Sequence, residues 1–468
     1  MSVYIPESPD DLFYKIKRNM SLPRPLWADK SIKKLRSDIL ENKNNRSPII
    51  VTGHQPIFYH PGILVKDMLS HSLAGAVNGT ALNMIVDTDE EEISLQIPVR
   101  GRNGILMKEI MPVSPRGIAL VGQKIQKDKK NKILNRLSEY EKELYGIFTP
   151  TQVPQIKMDL NILMDIIDDA EYVCQPGIRL REMWEKMHSI RLKTIYASEI
   201  IKTEAFSVFK EYIFRREKEF RKIYNEALVR YRINHKIKNK AQPLPDLDDS
   251  AGELPFWHVK DGARMPFVRG NSIEDTNVYP RAVALTLFCR IFISDLMIHG
   301  TGGARYDQIT DQLLEKFFKY EAAPFSVASA TLSLDVRADY SIESRSLSEI
   351  YKDLRAYEFD PTVFLPGEHV LVLKKKEIIR NRADRNADLK KIHIEIQKIN
   401  HEARNVIQGF YLELIAEKNR AKLVARNNLI RMDRTFPFIF YNISPLVERM
   451  KPYGLKRPSM ESFASARS

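Results

Sequence analysis

The sequence predicts an α/β protein: a Rossmann-like, parallel-sheet core with a helical insertion and a C-terminal α-helical coiled coil. Three patterns predict it. First, Ile49-Ile-Val-Thr52-Gly53-His54-Gln55-Pro56 runs β-favouring aliphatics into a glycine turn, and helical spacing follows from Ile63 to Ala76. Second, Ala81-Leu-Asn-Met-Ile-Val86 reads as another strand, completing a strand–helix–strand unit that requires a parallel pair. Third, Leu389, Ile392, Ile396, Ile399, Ala403, Val406 and Phe410 alternate steps of three and four, the spacing of a coiled-coil seam.

With 468 residues, 43% of them apolar, the chain can fill the cores of more than one domain. A net charge of +13 invites an anionic partner. Yet the basic stretches Phe214–Lys240 and Lys374–Arg426 carry both signs, which reads as solvated helix faces rather than a nucleic-acid groove. Cys174 and Cys289 match no metal spacing, which argues against a disulfide framework and for a reducing cytoplasm. The N-terminus has no basic region followed by an apolar core, so no secretory signal is expected. The most apolar long segment, Ala282–Ile298, is interrupted by Arg290 and Asp295 and is too short to span a bilayer. A cytoplasmic protein with neither membrane nor nucleic acid as partner is the expectation.

Taken in order, residues 1–48 read as a polar lead-in with a short helix around Ser31–Leu40. The first half of the core is expected over 49–190. Its βαβ unit is followed by strands at Ile93–Val99, Gly104–Ile110 and Ile118–Val121, then helices at Asn135–Leu144 and Met158–Ala170. A helical connector over 191–245 carries Phe206, Phe209, Ile213, Phe220, Ile223 and Ala227 as an approximate seam. The proline-rich stretch Asn239–Glu253 reads as a linker. The second half, 246–375, opens with a hairpin about Asp261-Gly262. Tyr279-Pro280-Arg281 then starts a helix whose buried stripe, Leu285 to Leu296, is expected to end at His299-Gly300, with a further helix over Tyr306–Lys319. Coiled-coil helices fill 376–450, and a helix from 389 to 424 would be roughly 50 Å long. Its partner would be the 205–235 helix, a second copy of the chain in a homodimer, or both. The tail, 451–468, is expected to be loosely held.

The turn after the first strand is the leading site. Thr52, Gly53, Gln55 and Gly62 would shape a phosphate-binding turn at a helix N-terminus, with His54, His60 and Lys66 to neutralise charge. The second strand ends in Asp87-Thr-Asp89-Glu-Glu-Glu92. In a parallel sheet these carboxylates share an edge with His54, so Asp87 or Asp89 could hold Mg²⁺, bind an amine or act as a base. Gly300, Gly302 and Gly303 exceed what a helix cap needs and read as a second ligand turn, although they also serve to end a helix. Arg281 would face an anionic group from a helix start. No metal ligand set stands out.

These pieces, in this order, resemble the bacillithiol-biosynthesis cysteine-adding enzymes. Their corresponding turns read Thr-Gly-Gln-Gln and Gly-Pro-Gly-Glu-x-x-Tyr, where this chain has Thr52-Gly53-His54-Gln55 and Gly300-Thr-Gly302-Gly303-Ala-Arg-Tyr306. The resemblance implies a core similar to class I nucleotidyltransferases, a helical connector and a terminal coiled coil. It also implies the joining of cysteine to an amine-bearing acceptor; in that family the product comes from glucosaminyl-malate. His54 replaces a family Gln, Ala304 replaces a family Glu, and Ile63 stands where the nucleotidyltransferase turn has its last histidine. A divergent member is expected: a ligase-like enzyme that binds ATP or ADP, with Mg²⁺ as a candidate, and joins a small acid to an amine. The alternative is a non-catalytic nucleotide-binding or assembly protein on the same core.

Overall fold

The structure, a computed structural model, describes residues 1–23, 29–40, 47–239, 241–268, 277–337, 345–381 and 388–455, without the side chains of Asn103 and Tyr306. Its strands, in chain order, are β1 (Ser2–Tyr4), β2 (Ile49–His54), β3 (Thr80–Ile85), β4 (Ser94–Arg100), β5 (Leu106–Pro112), β6 (Lys193–Tyr196), β7 (Glu253–Lys260), β8 (Ala263–Val268), β9 (Val278–Pro280), β10 (Leu296–His299), β11 (Phe325–Val327) and β12 (Ser329–Thr331). The chain is mixed α/β. Its central sheet has the order β11-β10-β2-β3-β6, and every neighbouring pair is parallel. Side chains alternate across it. Ile50 joins a core with Leu64, Met68 and Leu69 of the Pro61–Ala76 helix. Ile49 and Val51 join another with Phe206, Phe209 and Phe288. Both faces are therefore covered, as a parallel sheet requires.

The predicted βαβ unit is present: β2 pairs with β3 from Ile49↔Thr80 to His54↔Ile85. A second unit was not foreseen. The buried stripe ends its helical course at Ile293, and Leu296–His299 forms β10, hydrogen-bonded to β2 on one side and β11 on the other. Three apolar residues and a histidine have no period that separates strand from helix, so the stripe concealed the strand. The chain thus leaves β2 through the Pro61–Ala76 helix toward β3, and leaves β10 through the Gly303–Leu313 helix toward β11. These departures are in opposite directions, and the strand order reverses between β2 and β10.

Other expectations need correction. Lys193–Tyr196 (β6) lies at the start of the expected helical connector and is an edge strand of the sheet. The strands after β3 form an antiparallel β4–β5 hairpin outside the parallel sheet, and Ile118–Val121 is not a strand. The Asp261-Gly262 hairpin is present as β7–β8, extended by β9. The expected linker is pinned: Arg232 donates to the carbonyls of Gln242 (2.9 Å) and Leu244 (2.7 Å) and pairs with Asp246.

The lead-in is also structured. Ser8 and Asp11 form a reciprocal capping box that starts a helix, Pro9–Ser21, and a second helix spans Asp29–Leu40. Both reach one buried carboxylate. Asp295, fully buried just before β10, accepts from Asn19 Nδ2 (3.0 Å), Arg36 Nη2 (2.6 Å) and the Ile49 amide (2.8 Å).

The C-terminal seam is built from two helices, Leu389–Val406 and Gln408–Arg431, broken at Ile407. They pack on helices of the same chain, Leu347–Phe359 and Val370–Asn381, rather than on the 205–235 region. Tyr357 stacks on Tyr411, and Lys375 donates to Asp360 (2.6 Å) and Asn400 (2.8 Å) inside the arm. The arm therefore begins near 345, earlier than the expected boundary at 376. Asn427 secures its base by accepting from the Leu106 amide at 2.9 Å. Seam residues Leu389 and Val406 face solvent. Of the expected tail, Leu455 is buried, and 456–468 lie outside the described residues. Among the described residues no helix is long and apolar enough to cross a membrane.

Candidate functional site

Where the strand order reverses, the carboxyl ends of β2 and β10 open into a cleft of about 520 Å³. Of the residues expected to form a site, Gly53, His54, Gln55, Gly62, Lys66, Asp89, Arg281, Gly300, Gly302 and Gly303 line it. Two separated turns, Gly53–Gly62 and Gly300–Gly303, therefore meet across one opening. Each leads from a parallel strand into a helix of at least eleven residues.

Thr52, His60 and Asp87 stand behind this surface. Thr52 donates to the Ile298 carbonyl (3.1 Å) and ties β2 to β10. His60 caps the Pro61–Ala76 helix, its Nδ1 accepting from the Gly62 amide at 2.9 Å, with its ring edge-on to Tyr441. Asp87 accepts from the backbone amide (3.0 Å) and hydroxyl (2.5 Å) of Ser198, and burial pushes its carboxyl up. These three hold the walls in place.

Charge in the cleft is set by burial. It pushes the His54 imidazole down to about 3, with the nearby Lys66 ammonium adding to the shift, so His54 is neutral at pH 7. Burial, with a smaller contribution from Arg434, does the same to His60, also down to about 3. Lys66 is pushed down by burial to about 8 and still carries charge at neutral pH. Its ammonium donates to the Gly53 carbonyl at 2.6 Å, across the mouth of the turn. The expected trio of cations is thus a single cation beside two neutral rings.

Asp89 is the one carboxylate among the described lining residues, and it is engaged. It accepts from Gln55 Nε2 (3.2 Å) and pairs with Arg264 (3.0 Å). Arg281 pairs with Glu253 and donates to the Phe256 carbonyl (3.1 Å). Both guanidinium groups lie over the Trp257 ring, 4.5 and 3.9 Å from its centroid. These arginines are neutralised locally and shape the wall. Among the described residues no group of three or more His, Cys, Asp or Glu side chains is placed to hold a metal ion.

Two features escaped the sequence. Arg434, from the segment just after the arm, reaches the cleft beside Gly62 and donates to Ser329 Oγ at 2.8 Å. Neither it nor Lys66 has a salt bridge to a carboxylate among the described residues. The second feature is His299, at the end of β10, whose Nε2 lies 2.5 Å from Asp307 Oδ2. Burial pushes the Asp307 carboxyl up, but His299 and then Arg290 outweigh it and hold it below the usual range. No sequence spacing links 434 or 307 to the first turn; only the sheet order brings them together.

Gly62 is required by close approach. A Cβ there would collide with the Ala330 carbonyl oxygen and crowd the Arg434 guanidinium. Gly62→Ala is expected to lose about 1–3 kcal/mol of stability, read as a lowered urea midpoint, because neither β12 nor the helix start can yield freely. An unchanged midpoint would show that the corner has slack.

No protein family matches this chain, and no curated protein matches it.

Proposed function

We propose that the chain is a nucleotide-using, ligase-like enzyme of divergent type, with a Rossmann-like core whose cleft takes the phosphates of ATP or ADP. The observation that carries this reading is the location of the cleft: it lies at the carboxyl ends of parallel strands where the strand order reverses, between β2 and β10. In open α/β sheets that crevice is where ligands bind. Two cations with no salt bridge to a carboxylate among the described residues, Lys66 and Arg434, flank the start of the Pro61–Ala76 helix. An anion there gains charge-assisted hydrogen bonds to cations that make no salt bridge among the described residues. A volume of about 520 Å³ suits a nucleotide-sized ligand.

Mg²⁺, where it takes part, would enter with the phosphates and draw on Asp89, which would have to exchange its Arg264 partner. The acid joined to an amine is a small one, with cysteine as the candidate that the family resemblance supplies. Exposed apolar residues on the arm, among them Leu389, Ile394 and Leu412, support pairing with a second copy through a coiled coil. Two free, buried cysteines fit a reducing cytoplasm.

Calorimetry with ATP and ADP, each with and without Mg²⁺, tests the reading. Binding at or below millimolar nucleotide is expected, weakened by Arg434→Ala. No binding at millimolar nucleotide overturns it, and binding without turnover of any acid–amine pair would favour a non-catalytic nucleotide-binding protein.

A further inference from the structure

The His299–Asp307 pair has a geometry that a mere structural tie does not need. Asp307 is fully buried, and its other oxygen lies 3.4 Å from Nη1 of the buried Arg290, whose Nε donates to the Ala323 carbonyl at 2.7 Å. The carboxylate is therefore held from behind. Nε2 and Asp307 Oδ2 lie 2.5 Å apart, off the line of a ring N–H bond, and a carboxylate oxygen that close favours the tautomer with its proton on Nε2 and the lone pair on Nδ1. Nδ1 faces the glycine turn. A Cβ at position 303 would stand 2.8 Å from it, closer than side-chain carbons approach, so only glycine leaves this nitrogen open. His299 and Gly303 both line the cleft, and Phe325 packs edge-on against the ring at 5.7 Å, fixing its plane. An oriented imidazole with one nitrogen set against a buried carboxylate and the other open to a ligand cleft is the arrangement of a general base.

We propose that His299 is a catalytic residue of this cleft, its Nδ1 taking the proton of the attacking nucleophile, and that Asp307 is the positioning residue that keeps Nδ1 bare. The assignment rests on the nucleotide-using reading for its substrate class: an amine, or water in its absence, attacking an acid that carries a phosphate leaving group, or the phosphoryl group itself. The step is heterolytic. The electron pair of the nucleophile's N–H or O–H bond stays on the attacking atom, which forms the new bond with its lone pair. The proton passes to Nδ1, and the leaving group, phosphate from the activated acid or ADP from the γ-phosphoryl group, departs with the pair of the broken bond. Gly303 then serves access to the base, a role distinct from binding phosphate.

Two measurements on the full chain test this. The first is ¹⁵N-histidine NMR above pH 8, with the His299 signals assigned by their loss in His299→Gln. A neutral ring protonated at Nε2 is expected, turning to a mixture of tautomers in Asp307→Asn; a ring protonated at Nδ1 in the wild type overturns the assignment. The second follows ATP turnover with water as acceptor, beside ATP affinity by calorimetry. His299→Gln is expected to lower turnover by about 100-fold or more while affinity changes less than threefold, and Gly303→Ala is expected to lower turnover as well. Turnover equal to wild type in His299→Gln overturns the proposal. Should the wild type bind no ATP, the nucleotide reading falls alone, and the tautomer still decides whether Nδ1 is a free base.

Discussion

Asp295→Ala is expected to cost about 3–5 kcal/mol of folding stability, the largest single loss predicted for this chain. Three donors converge on that carboxylate from three places: Asn19, Arg36 and the backbone of β2 at Ile49. Arg36 is almost fully buried, so deleting its acid strands a guanidinium away from water, and that penalty exceeds the loss of the pair's own attraction. The Ile49 amide, at the start of the central strand, would lose its acceptor as well. Damage should begin at the N-terminal helices. Hydrogen exchange is expected to accelerate first across Pro9–Ser21 and Asp29–Leu40, with a lowered urea midpoint. Removing both charges, as in Arg36→Met with Asp295→Asn, should cost less than the two single changes added together. Additive losses would show that the two residues do not act as a pair.

Lys66→Met is expected to weaken ATP binding by about 10–100-fold, which is about 1.4–2.8 kcal/mol. Methionine keeps an unbranched apolar stem in the buried channel and removes only the ammonium. A charge-assisted hydrogen bond to an anion is worth about 1.5–3 kcal/mol, so one lost contact accounts for the effect. The pH dependence follows in sign. Burial holds the free Lys66 at about 8, below its ordinary 10.5, and a bound anion favours the ammonium and raises that value. Binding therefore takes up a proton near and above pH 8, and ATP affinity should fall as pH rises through that range. Lys66→Met should remove this fall. His54, held at about 3, contributes no titration between pH 5 and 9.

The sequence made half of each corner readable. At β2, three aliphatics, a turn glycine and a long helix with Leu64, Met68, Leu69 and Leu73 at helical spacing lie within about thirty residues, and local pattern alone locates them. At β10 the same architecture is present, but the strand is four residues long and directly follows a helix of similar composition. Its identity comes from pairing with β2 and β11, which no local period records. The Pro9–Ser21 helix was legible in principle through Ser8-x-x-Asp11, and its prolines obscured it. The seam at Leu389–Phe410 was legible as a helix pattern. Its partner was not, because Leu347, Ile350, Leu354 and Tyr357 step by three and four over less than two heptads, too short a run to stand out.

The site followed the same division. Gly53, His54 and Lys66 could be proposed together because they share a turn. Their charge states could not, since burial, rather than residue type, makes His54 neutral and leaves Lys66 charged. Arg434 lies 368 positions from Lys66 and Asp307 lies 253 from His54, so only the assembled sheet relates them.

The most direct test of the account is a crystal structure of the full chain with a non-hydrolysable ATP analogue. Phosphate oxygens are expected within hydrogen-bonding distance of Lys66 Nζ and Arg434, between the Gly53–Gly62 and Gly300–Gly303 turns. A nucleotide bound elsewhere, with this cleft filled only by solvent, would contradict it.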